Sequence, residues 1–383
     1  MFRALGFVGV CIVLSGLLVN AHLAVVARAV SPAEYADFGA FWSIALLVGF
    51  GAFLPVEQEL ARLGPGKALR SAAVVALAVA AAEALPALAV SPVLVVLCFV
   101  SAGQFLVRGA LIGSGRLRWH GTLLVADTAL RVVFALVVAS LGATTSVPFE
   151  WTLVAAIALA HLPLLPGILR RGGAEVPPRA FGKAVAPLLV GSVCAQLLLN
   201  GIPALTAAIA TDRAEAGVFL AAFLLARVPL FVAVPLQTAL LPALKGNEVT
   251  AVVRCAVALA AAAVLGVVAA VTVGPWLVRL VFGPGYVVST VDMALMVLGV
   301  VAHLGLIVTT QALVARALHN RVAWCWLAGV ATALVAFAAV PDLLLRAEIA
   351  FLTGSLAGWL AGVRLLITPR QESELCSTTS SSP

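Results

Sequence analysis

Long, continuously apolar runs recur from one end of the chain to the other, and polar residues gather in the short segments between them. The runs fall at 5–26, 38–56, 71–90, 92–112, 120–141, 149–169, 182–209, 216–243, 252–278, 290–315, 322–341 and 347–367. Each is near the ~20 residues that cross the hydrocarbon of a bilayer. In lipid every backbone N–H and C=O needs a partner within the protein, so a span is either a helix or a strand of a closed barrel. Barrel strands alternate apolar and polar positions, and these runs do not. The pattern predicts an all-α polytopic membrane protein of about twelve spans. Its narrowest division is Ala89-Val90-Ser91-Pro92, where proline after a small polar residue suits a helix restart.

Composition agrees. Of 383 residues, 63% are hydrophobic and only 10% charged, against about 25% charged in a soluble domain. The mean hydropathy is +1.16. A net charge of +7 could suit nucleic acid, but no basic patch is interleaved with aromatics, so no nucleic-acid partner is expected. Topology accounts for the charge instead. If both termini lie on one side, that side collects seventeen Lys and Arg, and the other holds Arg28, Arg213, Arg279 and Arg346. Arg131 and Arg227 fall inside spans. The positive-inside rule then makes both termini cytoplasmic. The first run is too long for the apolar core of a cleavable signal and reads as span one. None of the six cysteines forms a C-x-x-C pair, so they read as small buried hydrophobes rather than a zinc or disulfide framework.

The longest internal loop, RGGAEVPPRAF at 171–181, reads as a cytoplasmic linker between six-span halves at 1–170 and 182–367. The tail 368–383 ends STTSSSP and is expected to be disordered. The halves resemble each other weakly. AEYADFGAFWS (33–43) matches AEAGVFLAAFLL (214–225), and QFLVRGALIGSGRLRW (104–119) matches QALVARALHNRVAW (311–324). Two matches at equivalent positions favour a parallel repeat over chance.

Enzyme chemistry needs polar groups gathered outside lipid or in a wet cavity. No outer loop is long enough for a domain, none carries a His or carboxylate cluster, and there is no P-loop. Neither an enzyme nor a bound metal or cofactor is expected. His22, His120, His161, His303 and His319 are scattered without ligand spacing and read as helix-packing hydrogen bonders. Charges within spans are costly and are the sharper signal. Arg227 lies about 16 Å into span eight, near the midplane, and is followed by Val228-Pro229 and then Pro235, so this helix could bend and gate a cavity. Asp127 and Arg131 share a face at i, i+4, as a structural ion pair or a functional one. Glu83 is deep in span three without a local partner, so that Glu83 and Asp127 are the ion-coupling candidates. At the membrane edges Arg28, Glu34 and Asp37, and separately Glu57, Glu59 and Arg62, read mostly as interface anchors. Gln196 and Asn200, also i, i+4, with Gln237 and Gln311, can tie helices together or suit sugar hydroxyls.

Several segments resemble the multidrug/oligosaccharidyl-lipid/polysaccharide (MOP) flippase superfamily, specifically its bacterial polysaccharide-exporter branch. They are RAVSPAEYADFGAFWSI (28–44), RGALIGSGRLRWHG (108–121), AQLLLNGIPALTAAI (195–209), AGVFLAAFLLARVPLFVAVPLQTALLPAL (216–244) and LVRLVFGPGYVVS (277–289). The resemblance implies a MATE-like alternating-access carrier of two six-helix lobes in the bacterial cytoplasmic membrane. Its cavity would pass a polyprenyl-linked glycan, with membrane lipids around it and a glycan polymerase or glycosyltransferases as partners. A cationic cavity lining suits a pyrophosphate, and by position Arg28 and Arg227 are the first candidates, with Arg108 and Arg131 next. Gln196, Asn200 and Gln311 are the polar candidates beside them. The acidic coupling motifs of the multidrug exporters find no match. A cation-coupled drug exporter would favour an acidic, aromatic cavity. A membrane glycan ligase or polymerase would need a long outer loop. A transport-dead scaffold for glycan assembly is the remaining alternative.

Overall fold

A computed structural model describes residues 2–230, 248–315 and 318–367. Pro235, Gln237 and the tail 368–383 lie outside the described residues. The helices are α1 (Phe2–Ala29), α2 (Pro32–Leu46), α3 (Leu54–Leu63), α4 (Pro65–Ala87), α5 (Pro92–Gly113), α6 (Leu117–Ser140), α7 (Ser146–His161), α8 (Leu165–Arg170), α9 (Pro178–Gln196), α10 (Ile202–Ile209), α11 (Arg213–Ala226), α12 (Glu248–Thr272), α13 (Gly274–Phe282), α14 (Thr290–Ala315), α15 (His319–Ala339) and α16 (Leu343–Ile367). Among the described residues there is no strand. Ten continuous helical stretches are long and apolar enough to cross a membrane, and the bent pair α12–α13 makes an eleventh. Of the expected span eight (216–243), α11 covers the first part, and 231–243 lie outside the described residues.

Local chemistry sets the helix starts. Ser31 accepts from the Glu34 N–H and precedes Pro32, Asp212 accepts from the Glu215 N–H, and Ser91 accepts from the Val93 N–H just before Pro92. The expected restart between spans three and four is therefore present. Span nine, expected over 252–278, is not one continuous helix. It bends by 64° between α12 and α13, where Gly274-Pro275 interrupts it. Pro275 has no N–H to continue the ladder, and its ring crowds the preceding turn.

Spans two and seven each contain a π-helical segment, Leu47–Phe53 between α2 and α3 and Leu197–Gly201 between α9 and α10. Each is followed within two residues by a proline, Pro55 and Pro203. Those prolines cannot donate to the carbonyls a turn earlier, so those oxygens are open to side chains. The Ser192 hydroxyl donates to the Phe50 carbonyl at 2.6 Å.

In lipid, helices associate through close packing rather than hydrophobic burial. On α16, Gly354, Gly358 and Gly362 form a four-residue repeat against α14 and α15. A Cβ at Gly358 would lie 2.9 Å from the Cys325 carbonyl oxygen, so only glycine allows that approach. Elsewhere α1 packs along α6, α4 along α5, and α2 along α11. The loop expected as a linker between the halves is bonded to the start of α4. Gly173 N–H donates to the Pro65 carbonyl (3.1 Å), Arg70 N–H to the Gly173 carbonyl (3.1 Å), and Val176 N–H to the Lys67 carbonyl (3.2 Å), while the Ser71 hydroxyl donates to the Val176 carbonyl. These bonds satisfy loop backbone that would otherwise need water.

Candidate functional site

Helix α11 stops at Ala226 because Pro229 has no N–H for the Leu225 carbonyl. Arg227 therefore sits on the turn, buried, with its guanidinium 4.8 Å from the centre of the Phe223 ring one turn earlier. Its Nη1 donates to the Leu199 carbonyl at 2.7 Å and to Asn200 Oδ1 at 2.8 Å. Leu199 is in the second π segment, four residues before Pro203, which has no N–H to donate to it. Asn200 is itself oriented by Gln196, its Nδ2 donating to Gln196 Oε1 at 2.5 Å. The buried Tyr35 hydroxyl, which has no hydrogen-bond partner, and His303 lie within electrostatic reach of Arg227. Among the described residues no carboxylate pairs with this guanidinium. It is a buried cation held by neutral acceptors, in a setting where an uncompensated charge is costly.

Among the described residues, the other two buried arginines are paired with carboxylates. Arg108 on α5 meets Glu57 of α3 at 2.9 Å and lies 4.8 Å from the centre of the Phe105 ring. Arg131 on α6 holds Asp127 through two bonds, at 3.1 and 2.5 Å, and faces Trp42 at 6.0 Å. The expected i, i+4 pair is thus an ion pair. Glu57 corrects the reading of its cluster as interface anchors: it is buried and pairs across two helices, whereas Glu59, equally buried, pairs along α3 with the exposed Arg62 at 2.6 Å.

Arg28 is not gathered with Arg227. It lies at the cation-poor end, where its Nε donates to the Val281 carbonyl at 2.9 Å and its Nη2 donates to the Leu280 carbonyl, at the end of α13. The basic side chain there complements the negative end of the helix. Close by, Tyr286 donates to the Ala27 carbonyl at 3.2 Å, Tyr35, Phe282 and Tyr286 form an aromatic group, and Arg213 pairs with Asp37. Burial pushes the Tyr286 phenol up, so it stays a donor at neutral pH. Gly217 lets α11 touch the Pro32 carbonyl, an approach any Cβ would block. Together these contacts close the cation-poor end between α1–α2 and α11–α13. In a cysteine-free background, a reporter cysteine at buried Ala221 should react with maleimide faster when Arg28 and Asp37 are both alanine. An unchanged rate would show that other contacts hold this end shut.

No protein-family profile matches the chain. Uncharacterized proteins of Mycobacterium bovis and Mycobacterium tuberculosis are 30% identical to it over 273 residues, which is 69% of this chain and 63% of theirs. The chain therefore spans less than two thirds of the length of the curated relatives it matches. Among solved structures, an outward-facing multidrug resistance MATE family transporter of the MOP superfamily superposes with a TM-score of 0.62 at 14% identity over 94% of both chains. Its inward-facing form gives 0.62 at 15%, over 96% of this chain and 94% of that one. A MOP superfamily transporter from Pyrococcus furiosus, described as having a binding pocket of reverse polarity, gives 0.63 at 13% over 95% of both.

The fold is that of the MATE transporters.

On this MATE fold the nine candidate residues fall into separate places. Arg227, Asn200 and Gln196 form one hydrogen-bonded group. Arg131 and Asp127 form a second, Arg108 a third with Glu57, and Arg28 belongs to the closed end. Among the described residues no hydrogen bond joins Gln311 to any of these groups. Glu83 is half-buried, with Oε2 enclosed and unpartnered, within electrostatic reach of Cys98. Sequence reasoning missed Tyr35, Phe223 and His303 around Arg227. Phe223 was within reach as the i−4 neighbour, but Tyr35 and His303 arrive from other helices and carry no local signal. It also missed Glu348 on α16, whose two carboxylate oxygens are enclosed without a hydrogen-bond partner, within electrostatic reach of Asp292 and Asp342.

Proposed function

We propose that the chain is a membrane transporter that turns a lipid-linked oligosaccharide or polysaccharide precursor across the bacterial cytoplasmic membrane, both termini facing the cytoplasm. The observation that carries this reading is Arg227, a buried cation near the midplane that only neutral groups hold. A cation kept without a counter-charge is arranged to receive one, and a diphosphate linkage supplies it. Asn200 and Gln196 beside it offer amide donors and acceptors to a sugar, while a prenyl chain can trail between helices. Movement of two six-helix lobes, 1–170 and 182–367, would expose the site to each side in turn, and the closed end at Arg28 and Asp37 would be one of the two gates. The MATE fold supports a transporter over an enzyme, and the reverse-polarity pocket described for the Pyrococcus furiosus protein shows that the fold is not tied to one pocket charge.

A second reading, a cation-coupled drug exporter, draws on the unpaired carboxylates of Glu348 and Glu83. The two separate in a binding assay on purified protein in nanodiscs. A polyprenyl diphosphate should compete for the site, the corresponding polyprenyl alcohol should bind far more weakly, and a lipophilic cation should not compete. Tight binding of the cation with none of the diphosphate would overturn the flippase reading and favour the exporter.

A further inference from the structure

The proposed binding site and the closed end leave unused a cluster on the opposite, cation-rich side, where α5 turns into α6. The turn runs through Ser114, Gly115 and Arg116, with Gly115 in the left-handed region at φ +71°. Arg116 and Arg118 are exposed on either side of Leu117, and the Trp119 side chain beside them is 69% exposed. Residues 115–119 line a cleft of about 340 Å³. Among the described residues neither guanidinium has an acceptor. No side chain caps the first turn of α6, so its N–H groups add positive potential to that of the arginines. The carboxylates of the adjoining α3 do not compensate. A Cβ on Gly113 would lie 3.1 Å from Ala61 Cα, so α3 abuts this turn, yet Glu57 is engaged by Arg108 and Glu59 by Arg62.

The cluster stands where lipid headgroups begin. Helix α6 has 24 residues, ~36 Å against the ~30 Å of hydrocarbon, so its first turn reaches the headgroup region. Trp119 heads a stripe of exposed apolar residues, Ala126, Val133 and Val137, that fall within about 40° of it around the helix. The two free cations therefore sit directly above a lipid-facing apolar track.

We propose that residues 115–119 bind the headgroup of an anionic phospholipid in the leaflet at the cation-rich side. With the orientation proposed above this is the cytoplasmic leaflet, and only that assignment rests on the proposed function. Arg116 and Arg118 donate to the phosphate oxygens, the Trp119 ring covers the upper part of the acyl chains, and the stripe below takes their length. A soluble acidic partner or a free phosphate would use the arginines and leave Trp119 and the stripe without a role. The matching turn in the other half of the chain is built differently. Arg321, which matches Arg116, donates to the Leu365 carbonyl at 2.6 Å, and Ala323 stands in the place of Arg118. The lipid thus holds one half of the chain only, at the α5–α6 corner and through it α1, which packs along α6.

Trp119 supplies the test, because bromine quenches an indole it touches. Purified protein is placed in phosphatidylcholine nanodiscs that contain a minor fraction of phosphatidylglycerol or phosphatidylcholine brominated on its acyl chains. The part of the quenching that disappears in Trp119→Phe belongs to the site. That part should favour phosphatidylglycerol, by roughly fivefold for each arginine, and should shrink as salt rises. Arg116→Gln with Arg118→Gln should remove the preference. Arg170→Gln with Arg171→Gln, an equal loss of exposed charge on the same side, should leave it intact. All four side chains are exposed, so the thermal midpoint should stay at the wild-type value in both double variants. Trp119-dependent quenching that is equal for the two lipids overturns the proposal. So does a preference that survives the Arg116 and Arg118 changes, or one that falls equally with Arg170 and Arg171. Loss of the preference on adding inorganic phosphate or polyglutamate at constant ionic strength would also overturn it, in favour of a soluble anion or an acidic protein. Both leaflets hold the probe lipid and no transported substrate is present, so failure here would leave the orientation and the flippase reading untouched.

Discussion

Replacing Arg227 with methionine should abolish diphosphate-lipid binding while leaving the folded protein nearly as stable as before. The two effects have different origins. In the complex the guanidinium is the counter-charge of a desolvated anion, and removing one side of such a pair costs about 2–5 kcal/mol. That is at least about thirtyfold in affinity. In the ligand-free protein the same side chain is a buried cation without a carboxylate, bonded to the Leu199 carbonyl and Asn200 Oδ1. Removing it leaves those acceptors short of a donor, at about 1–3 kcal/mol, but also removes the desolvation cost of the charge. The thermal midpoint should therefore move by no more than about 3 °C. Arg227→Lys keeps the charge and loses the fork geometry, so it should bind with intermediate strength. Cells that depend on this protein for glycan export should fail with methionine and be partly rescued by lysine. Unchanged binding in Arg227→Met would remove the basis of the functional reading.

The opposite pattern is expected at Glu57. Its pair with Arg108 joins α3 to α5 in a buried setting, and replacing Glu57 by glutamine strands the guanidinium against Phe105 and Phe50. Breaking a buried pair from one side costs about 3–5 kcal/mol, and replacing both partners by uncharged residues costs far less. Thermal unfolding in detergent should show a large loss for Glu57→Gln and recovery of most of it when Arg108→Met is added. Diphosphate binding per folded molecule should stay at the wild-type level in the double variant. A double variant no better folded than the single one would mean that the charges are not matched to each other.

The contrast between these arginines shows where sequence stops being informative. The spans were legible because lipid imposes one rule on every crossing: α5, α7, α14 and α16 each begin within about four residues of the expected position. The Asp127–Arg131 and Gln196–Asn200 contacts were legible for a similar reason, since i, i+4 neighbours on a helix share a face. Glu57 and Arg108 are 51 positions apart and meet only because Gly109 lets α5 approach the backbone at Glu57. Nothing local to Glu57 distinguishes it from Glu59, which pairs along its own helix. The setting of Arg227 had one readable sign that composition hides: Pro203 stands four residues after Leu199, so an open carbonyl could be expected there. The helix that delivers the arginine to it could not.

The π segment at Leu47–Phe53 also acts as a phase shifter within span two. An α-helix advances about 100° per residue, so one residue more or less in the middle of a span turns everything beyond it by that angle. Before the segment, Tyr35, Asp37 and Trp42 address α11, α13 and the His22 ring; after it, Glu57 addresses α5. Deleting one residue there would keep the span long enough for the bilayer and keep every side chain, yet aim the two ends at incompatible neighbours. Span two is thus two differently oriented helices on one axis, and the widened turn that joins them is what lets one crossing serve both the closed cation-poor end and the ion pair.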